Sequence, residues 1–198
     1  IDIKVPPVSI TSKNFEKSLS HHTSAKTRAS VMSHAIRHHI SKNYNSDPEF
    51  FQKLSEKLKT LMDSHNEDWE EIIKKLNELL DEARNGRTDT AYNLDPTVEM
   101  PFFDIIRSEV FGEQEAHEKQ LEQTAEMTRD IVSMIQKEVS KVDFWKKDQE
   151  IRNLRGYIKK ILIDSPLNLE KSSREKITDR LVELAKVKDT ELKNSVIL

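Results

Sequence analysis

His34 and His38 stand four residues apart with Arg37 between them, an interval that puts two imidazoles on one face of a helix, as in helical zinc sites. A metal site there would need a carboxylate or a third histidine nearby, and no His-Glu-x-x-His context is present. A solvated or partner-facing His/Arg stripe is the simpler expectation. Arg152, Arg155 and Lys159 also recur at helical spacing, with Lys146, Lys147 and Lys160 close by. Such a stripe can touch phosphates without reading bases. It can equally dock onto an acidic surface, including the acidic middle of this same chain.

Other chemistry is missing where it would have to be. Phosphate cradles use backbone amides exposed by Gly-rich turns, but Gly86, Gly112 and Gly156 are isolated and none follows a strand. Cysteine is absent, which removes disulfides, thiolate metal sites and a Cys nucleophile, and fits a reducing cytoplasm. Glu71-Ile72-Ile73-Lys74 loosely resembles the acid-x-Lys of metal-dependent nucleases, which place it on adjacent strands. Here it falls on a helix whose polar face is full of such pairs, and the carboxylates between 63 and 82 form a solvated face. No catalytic residue, cofactor-binding residue or metal ligand is assigned.

The elements that position these residues are helical. A charged fraction of 34% with three Gly favours long solvated helices over sheets, and no apolar run approaches the ~20 residues of a membrane span. The net charge of −3 is unevenly spread. Residues 1–46 carry seven Lys/Arg against two Asp/Glu, residues 47–142 carry 12 against 23, and residues 143–198 carry 13 against 10. Residue 1 is Ile and no Met precedes Met32, so a fragment of something larger is expected.

Pro6 and Pro7 suggest an extended arm or linker over residues 1–23, leading into a helical domain over 24–198. Periodic stripes predict helices from about Ser24 to Tyr44, behind Asp47-Pro48, and behind Asn66 or Asp68 up to Asn85-Gly86. The second and third of these should pair as a hairpin. Gly86–Met100 lacks periodicity and is the best place for a hinge between two subdomains. Further helices are expected over Pro101–Phe111, Glu113–Val139, from an Asp143 cap to Ser165-Pro166, and over Ser172–Lys188. Phe144-Trp145 and Trp69 are expected to anchor the core; exposed, they would be binding hot spots. The fold class is all-α, an irregular bundle of about six to eight helices with an extended N-terminal arm.

Several stretches then acquire a joint meaning: Ser33-His34-Ala35-Ile36-Arg37-His38-His39-Ile40, Asp47-Pro48-Glu49-Phe50-Phe51, Trp69-Glu70-Glu71, Leu94-Asp95-Pro96 before Pro101-Phe102-Phe103-Asp104, and Asp143-Phe144-Trp145-Lys146. In this order and spacing they resemble the C-terminal helical region of the restriction (R) subunit of type I restriction-modification enzymes. The similarity runs from about residue 25 to about residue 165 and on toward the end. It implies a piece of a large ATP-dependent, DNA-translocating endonuclease whose nuclease and motor domains lie upstream. ATP and Mg are then expected only in those upstream domains, and no catalytic residue can be carried onto this chain.

The resemblance implies an assembly module that docks the motor subunit to the modification (methyltransferase) subunit, with DNA reached through the complex and no membrane involved. The alternative is a DNA-contacting module that guides duplex along the His34/Arg37/His38 stripe or the Arg152/Arg155/Lys159 stripe. A hydrolytic metal site on His34 and His38 is the remaining idea.

Overall fold

The computed structural model describes residues 8–64, 68–88, 90–112 and 114–195. Among them are nine α-helices and no strand, and none of the helices is long and apolar enough to cross a membrane. The chain forms two compact units, residues 1–88 and 89–198.

The first unit contains α1 (Phe15–Ser20), α2 (Ala25–Asn43), α3 (Pro48–Asp63) and α4 (Trp69–Asn85). Along α2, Ala29, Met32, Ala35, Ile36 and Ile40 recur at three- and four-residue intervals and are buried, mainly against α4 and also against α3. From α3 come Phe51, Leu54 and Leu58; from α4 come Ile72, Leu76, Leu79, Leu80 and Ala83. Each fully buried side chain of this size stabilises by about 1.5–3 kcal/mol relative to exposure. Helix α3 packs on α4 as the sequence predicts.

The helix ends follow the local chemistry. Asp68 accepts hydrogen bonds from the Glu70 and Glu71 amides at 3.2 Å each and starts α4; Asn66 lies outside the described residues. Gly86 ends α4 at φ +64°, where its amide donates to the Glu82 carbonyl.

The N-terminal segment departs from the expected arm. Residues 1–7 lie outside the described residues, but Ile10, Phe15 and Leu19 are buried in the first core, the last two on α1. Arg84 on α4 fastens the segment: its Nε donates to the Ile10 carbonyl at 2.7 Å, its Nη2 meets Glu16 at 2.8 Å, and its guanidinium lies 5.4 Å from the Phe15 ring centre. Three apolar residues separated by polar ones are too few to read as a stripe, so the sequence hides this docking.

Asp47 joins two ends of the same unit. Its Oδ1 accepts from the Phe50 amide, capping α3, while Arg87, beyond α4, reaches both oxygens: Nε to Oδ2 at 2.9 Å and Nη2 to Oδ1 at 3.0 Å. The two side chains are only 7% and 11% exposed. A fork of this kind holds geometry as well as charge, and removing Asp47 takes two charge-assisted bonds from a buried guanidinium.

The second unit begins with a tight turn at Ala91–Asn93, where Tyr92 and Asn93 adopt φ +58° and +54°. Such values are strained for a tyrosine. The Arg129 guanidinium, 3.1 Å from the Tyr92 carbonyl, and the Phe103 ring, 5.4 Å away, hold the turn. Asp95 then collects the Thr97 and Val98 amides, and Glu99 returns to the Asp95 amide at 2.7 Å. This reciprocal cap leads into α5 (Met100–Phe111), whose Phe102, Phe103, Ile105 and Ile106 are buried, and Gly112 ends it at φ +57°.

Helices α6 (Glu118–Val139), α7 (Asp148–Asp164), α8 (Lys171–Val187) and α9 (Asp189–Asn194) complete the unit. Residues 115–117 are not helical, and α6 starts with a capping box between His117 and Gln120, later than the sequence predicts; Glu113 lies outside the described residues. Asp143 does not cap α7. It sits in the left-handed region at φ +54°, its carboxylate pairs with Lys146, and a short turn at Phe144–Lys146 delays the helix to Asp148. The two elements beyond the seven predicted helices, α1 and α9, are six residues each, too short to display a stripe.

Asp47→Ala removes the α3 cap and the bidentate carboxylate that Arg87 grips together. We expect it to cost about 2–4 kcal/mol in urea unfolding, with Asp47→Asn in between because it keeps the cap. A loss below about 0.5 kcal/mol for Asp47→Ala would show that the fork adds nothing.

Candidate interaction surfaces

Phe144 and Trp145 set the corner from which α7 starts. Phe144 is buried, the two rings meet edge to face at 4.9 Å, and the indole Nε1 donates to Asp189 Oδ1 at 2.9 Å. They anchor the core rather than a partner. Trp69 likewise packs against the first core, with Lys26 5.6 Å from its ring centre. Lys141 clamps the same α6–α7 corner: its ammonium bonds Glu138 at 2.7 Å and Glu150 at 2.9 Å, and these bonds hold its pKa above the ordinary lysine value.

Helix α7 buries Leu154, Ile158 and Leu162. The basic residues named on and before it from the sequence do not form one stripe. Arg155 pairs with Asp179, and Lys159 stands 3.7 Å from Glu175, so both cations meet carboxylates of α8. Lys146 pairs with Asp143 at 2.9 Å, Lys147 donates to the Val142 carbonyl at 2.8 Å, and Arg152 donates to Gln149 at 3.0 Å. The acidic surface that Arg155 and Lys159 meet thus belongs to the neighbouring helix of their own unit.

The outward face of α7 carries Arg152, Gly156, Tyr157, Lys160 and Ile163, all exposed. Tyr157 is 46% and Ile163 59% exposed, and a Cβ added at Gly156 would meet nothing within 4 Å. Of this face, basic spacing in the sequence singles out Arg152 and Lys160 but not Tyr157 and Ile163, and Gly156 is weighed there only as a phosphate loop. A glycine inside a helix, with an aromatic residue next to it and an aliphatic one two turns on, was the available signal.

His34, Arg37 and His38 do share one face of α2. Arg37 and His38 are exposed and His34 is half-buried. Beside them His39 turns inward, its ring 6.0 Å from Phe51, and burial lowers its pKa below the usual histidine value against an opposing backbone hydrogen bond with Ala83. Among the described residues no group of three or more His, Asp or Glu is placed to hold a metal ion.

A charged cluster unseen in the sequence ties α5 to α8. Glu109, 10% exposed, receives Lys176 and Arg180 at 2.8 Å each. Burial pushes its carboxyl up, but these two cations outweigh burial and hold it below the ordinary value. Asp95 is also lowered: burial opposes, and the Val98 amide and the Thr97 hydroxyl and amide prevail.

A protein-family model described as type I restriction enzyme HindI endonuclease subunit-like, C-terminal, matches residues 1–189. The chain belongs to this family. It is therefore the C-terminal domain of a type I restriction endonuclease subunit, and membership implies a complex with other subunits. No curated protein and no solved structure matches it.

Because Glu109 and Asp95 have lowered folded pKa values, their stabilisation is complete above the ordinary carboxylate range, about pH 4–5, and is lost as pH falls through those lower values. Glu109→Gln is expected to cost about 1–3 kcal/mol near neutral pH and to flatten the loss of stability on acidification, followed by urea unfolding across that range. An acid limb identical to that of the unaltered chain would remove Glu109 from this role.

Proposed function

We propose that this domain is a non-catalytic assembly module that docks the restriction subunit to the modification (methyltransferase) subunit through the outward face of α7. The observation that carries this reading is Gly156. A glycine in a helix interior costs about 1 kcal/mol relative to alanine, and nothing within the chain approaches the place a side chain would occupy. The helix therefore keeps a flat spot that serves no internal packing. Tyr157 and Ile163 stand beside it as exposed anchors of the kind that dominate binding energy, and Arg152 and Lys160 supply a charged rim.

Family membership supports a docking role, since a type I enzyme is an assembly of subunits. On this reading the domain carries no cofactor of its own, ATP and Mg are handled by domains upstream in the parent protein, and the complex works in the cytoplasm.

Gly156 makes the proposal testable against simple destabilisation. Gly156→Leu should hold or raise the melting temperature, because leucine is the better helix former, yet weaken binding to the purified methyltransferase subunit. Tyr157→Ala should weaken the same binding at least about tenfold, or about 1.4 kcal/mol. Isothermal titration of subunit against subunit reads both. Wild-type affinity in both variants would sink the docking face.

A further inference from the structure

We infer that Asn85-Gly86, at the end of α4, is a site of spontaneous deamidation, and that the change loosens the grip of Arg87 on Asp47. The main-chain nitrogen of Gly86 attacks Cγ of the Asn85 side chain. A C–N bond forms, the bond to the side-chain nitrogen breaks, and that nitrogen leaves as ammonia with the proton of the Gly86 amide. Water then opens the five-membered succinimide at either carbonyl. One opening yields aspartate; the other yields isoaspartate, in which the main chain runs on through the β-carbon.

Sequence and structure together select this asparagine. The attacking nitrogen is least hindered where the next residue has no Cβ, and Asn85 is the only asparagine followed by glycine. Asn14, Asn43, Asn93, Asn153 and Asn168 all precede an aromatic residue or leucine. Two of these are held as well: Asn43 Nδ2 donates to the His39 carbonyl, and Asn153 Oδ1 accepts from Gln149, each at 2.8 Å. Asn85, by contrast, is exposed as the last residue of α4, and its side chain has no hydrogen-bond partner among the described residues. Gly86 already lies outside the helix at φ +64°, with nothing within 4 Å of the place a Cβ would take. One contact opposes the attack, the bond from the Gly86 amide to the Glu82 carbonyl at 3.1 Å. It is the terminal bond of α4, and terminal turns fray, so the nitrogen is slowed rather than locked.

The products matter because of the anchors on either side. Arg84, within the helix, fastens the N-terminal segment through Ile10 and Glu16. Arg87, two residues after Asn85, grips both oxygens of Asp47 and lies with its guanidinium 5.7 Å from the Phe50 ring centre. Isoaspartate puts an extra carbon into the main chain between these anchors. Arg84 is held in the helix, so Arg87 is the one displaced. Either product also sets a carboxylate on the last turn of α4, where the helix end is already negative. The first unit thus contains a slow chemical change that loosens the corner where α3 begins and α4 ends.

The experiment ages the full chain at mildly alkaline pH, below its melting temperature, and follows every asparagine by peptide mapping with mass spectrometry under a separation that resolves aspartate from isoaspartate. Asn85 is expected to convert first, to both products, and faster as pH rises because the attacking nitrogen must shed its proton. Asn85→Gln should stay intact at this position, since closure would need a larger ring. Urea unfolding of the separated forms reads the consequence. Asn85→Asp carries the new charge without the extra carbon and should lose less stability than the isoaspartyl chain. In Asp47→Asn the fork is already weakened, and the new amide, ahead of Pro48, meets no N–H that could attack it. Ageing should shift the urea midpoint of that variant by about half as much as in the unaltered chain, or less. The inference is overturned if Asn85 survives ageing, if another asparagine converts ahead of it, if Asn85→Gln changes there as fast, or if the isoaspartyl chain unfolds at the same urea concentration as the fresh one. Equal midpoint shifts in the two backgrounds would overturn the link to the fork.

Discussion

Most helices of this protein have one apolar stripe, α5 being buried all round over Met100–Ile106, and with no cysteine and no strand among the described residues the chain can hide its apolar surface only by laying helix on helix. In the first unit α2 bears most of this constraint, since α4, α3 and α1 all pack against it. In the second, α6 buries Ile131, Val132, Ile135 and Val139 among side chains of α5, α7 and α8. A buried leucine or isoleucine contributes about 1.5–3 kcal/mol, whereas exposed ion pairs contribute about 0–1 kcal/mol. The half-exposed bridges on α7 and α8 therefore arrange charge more than they hold the fold. The carboxylates of Asp47 and Glu109 differ, because each is largely shielded from water and each is gripped by two charge-assisted bonds.

One-sided burial also leaves α2 and α7 each a face with no structural duty. On α7 that face holds a glycine followed by an exposed tyrosine and, two turns on, an exposed isoleucine; on α2 it is a row of hydroxyls, histidines and an arginine without acids. The two differ in chemistry and belong to different units.

Much of the fold was legible because helix boundaries are local events. Asp47-Pro48, Asp68 and the two glycines at positive φ act within a turn or two of chain, and each stands where its residue type suggests. The misread places were those where distant contacts decide. Asp143 looks like a cap, yet burial of Phe144 and the bond from Trp145 to Asp189, 44 residues away, hold the backbone in a turn that postpones α7. Ile10, Phe15 and Leu19 join a core only because Arg84 and the α4 surface are there to receive them.

The candidate surfaces divide in the same way. That His34, Arg37 and His38 share a face follows from helical spacing, which the sequence contains. That Arg155 and Lys159 do not form an open cationic stripe follows from Asp179 and Glu175 on α8, which periodicity along α7 cannot register. By itself the sequence determined helicity, most helix ends, the absence of cysteine and glycine-loop chemistry and, by resemblance, the family. Tertiary structure alone decided which charges are neutralised, which aromatics are buried and which faces remain open, because those depend on residues far apart in the chain meeting at a few ångströms.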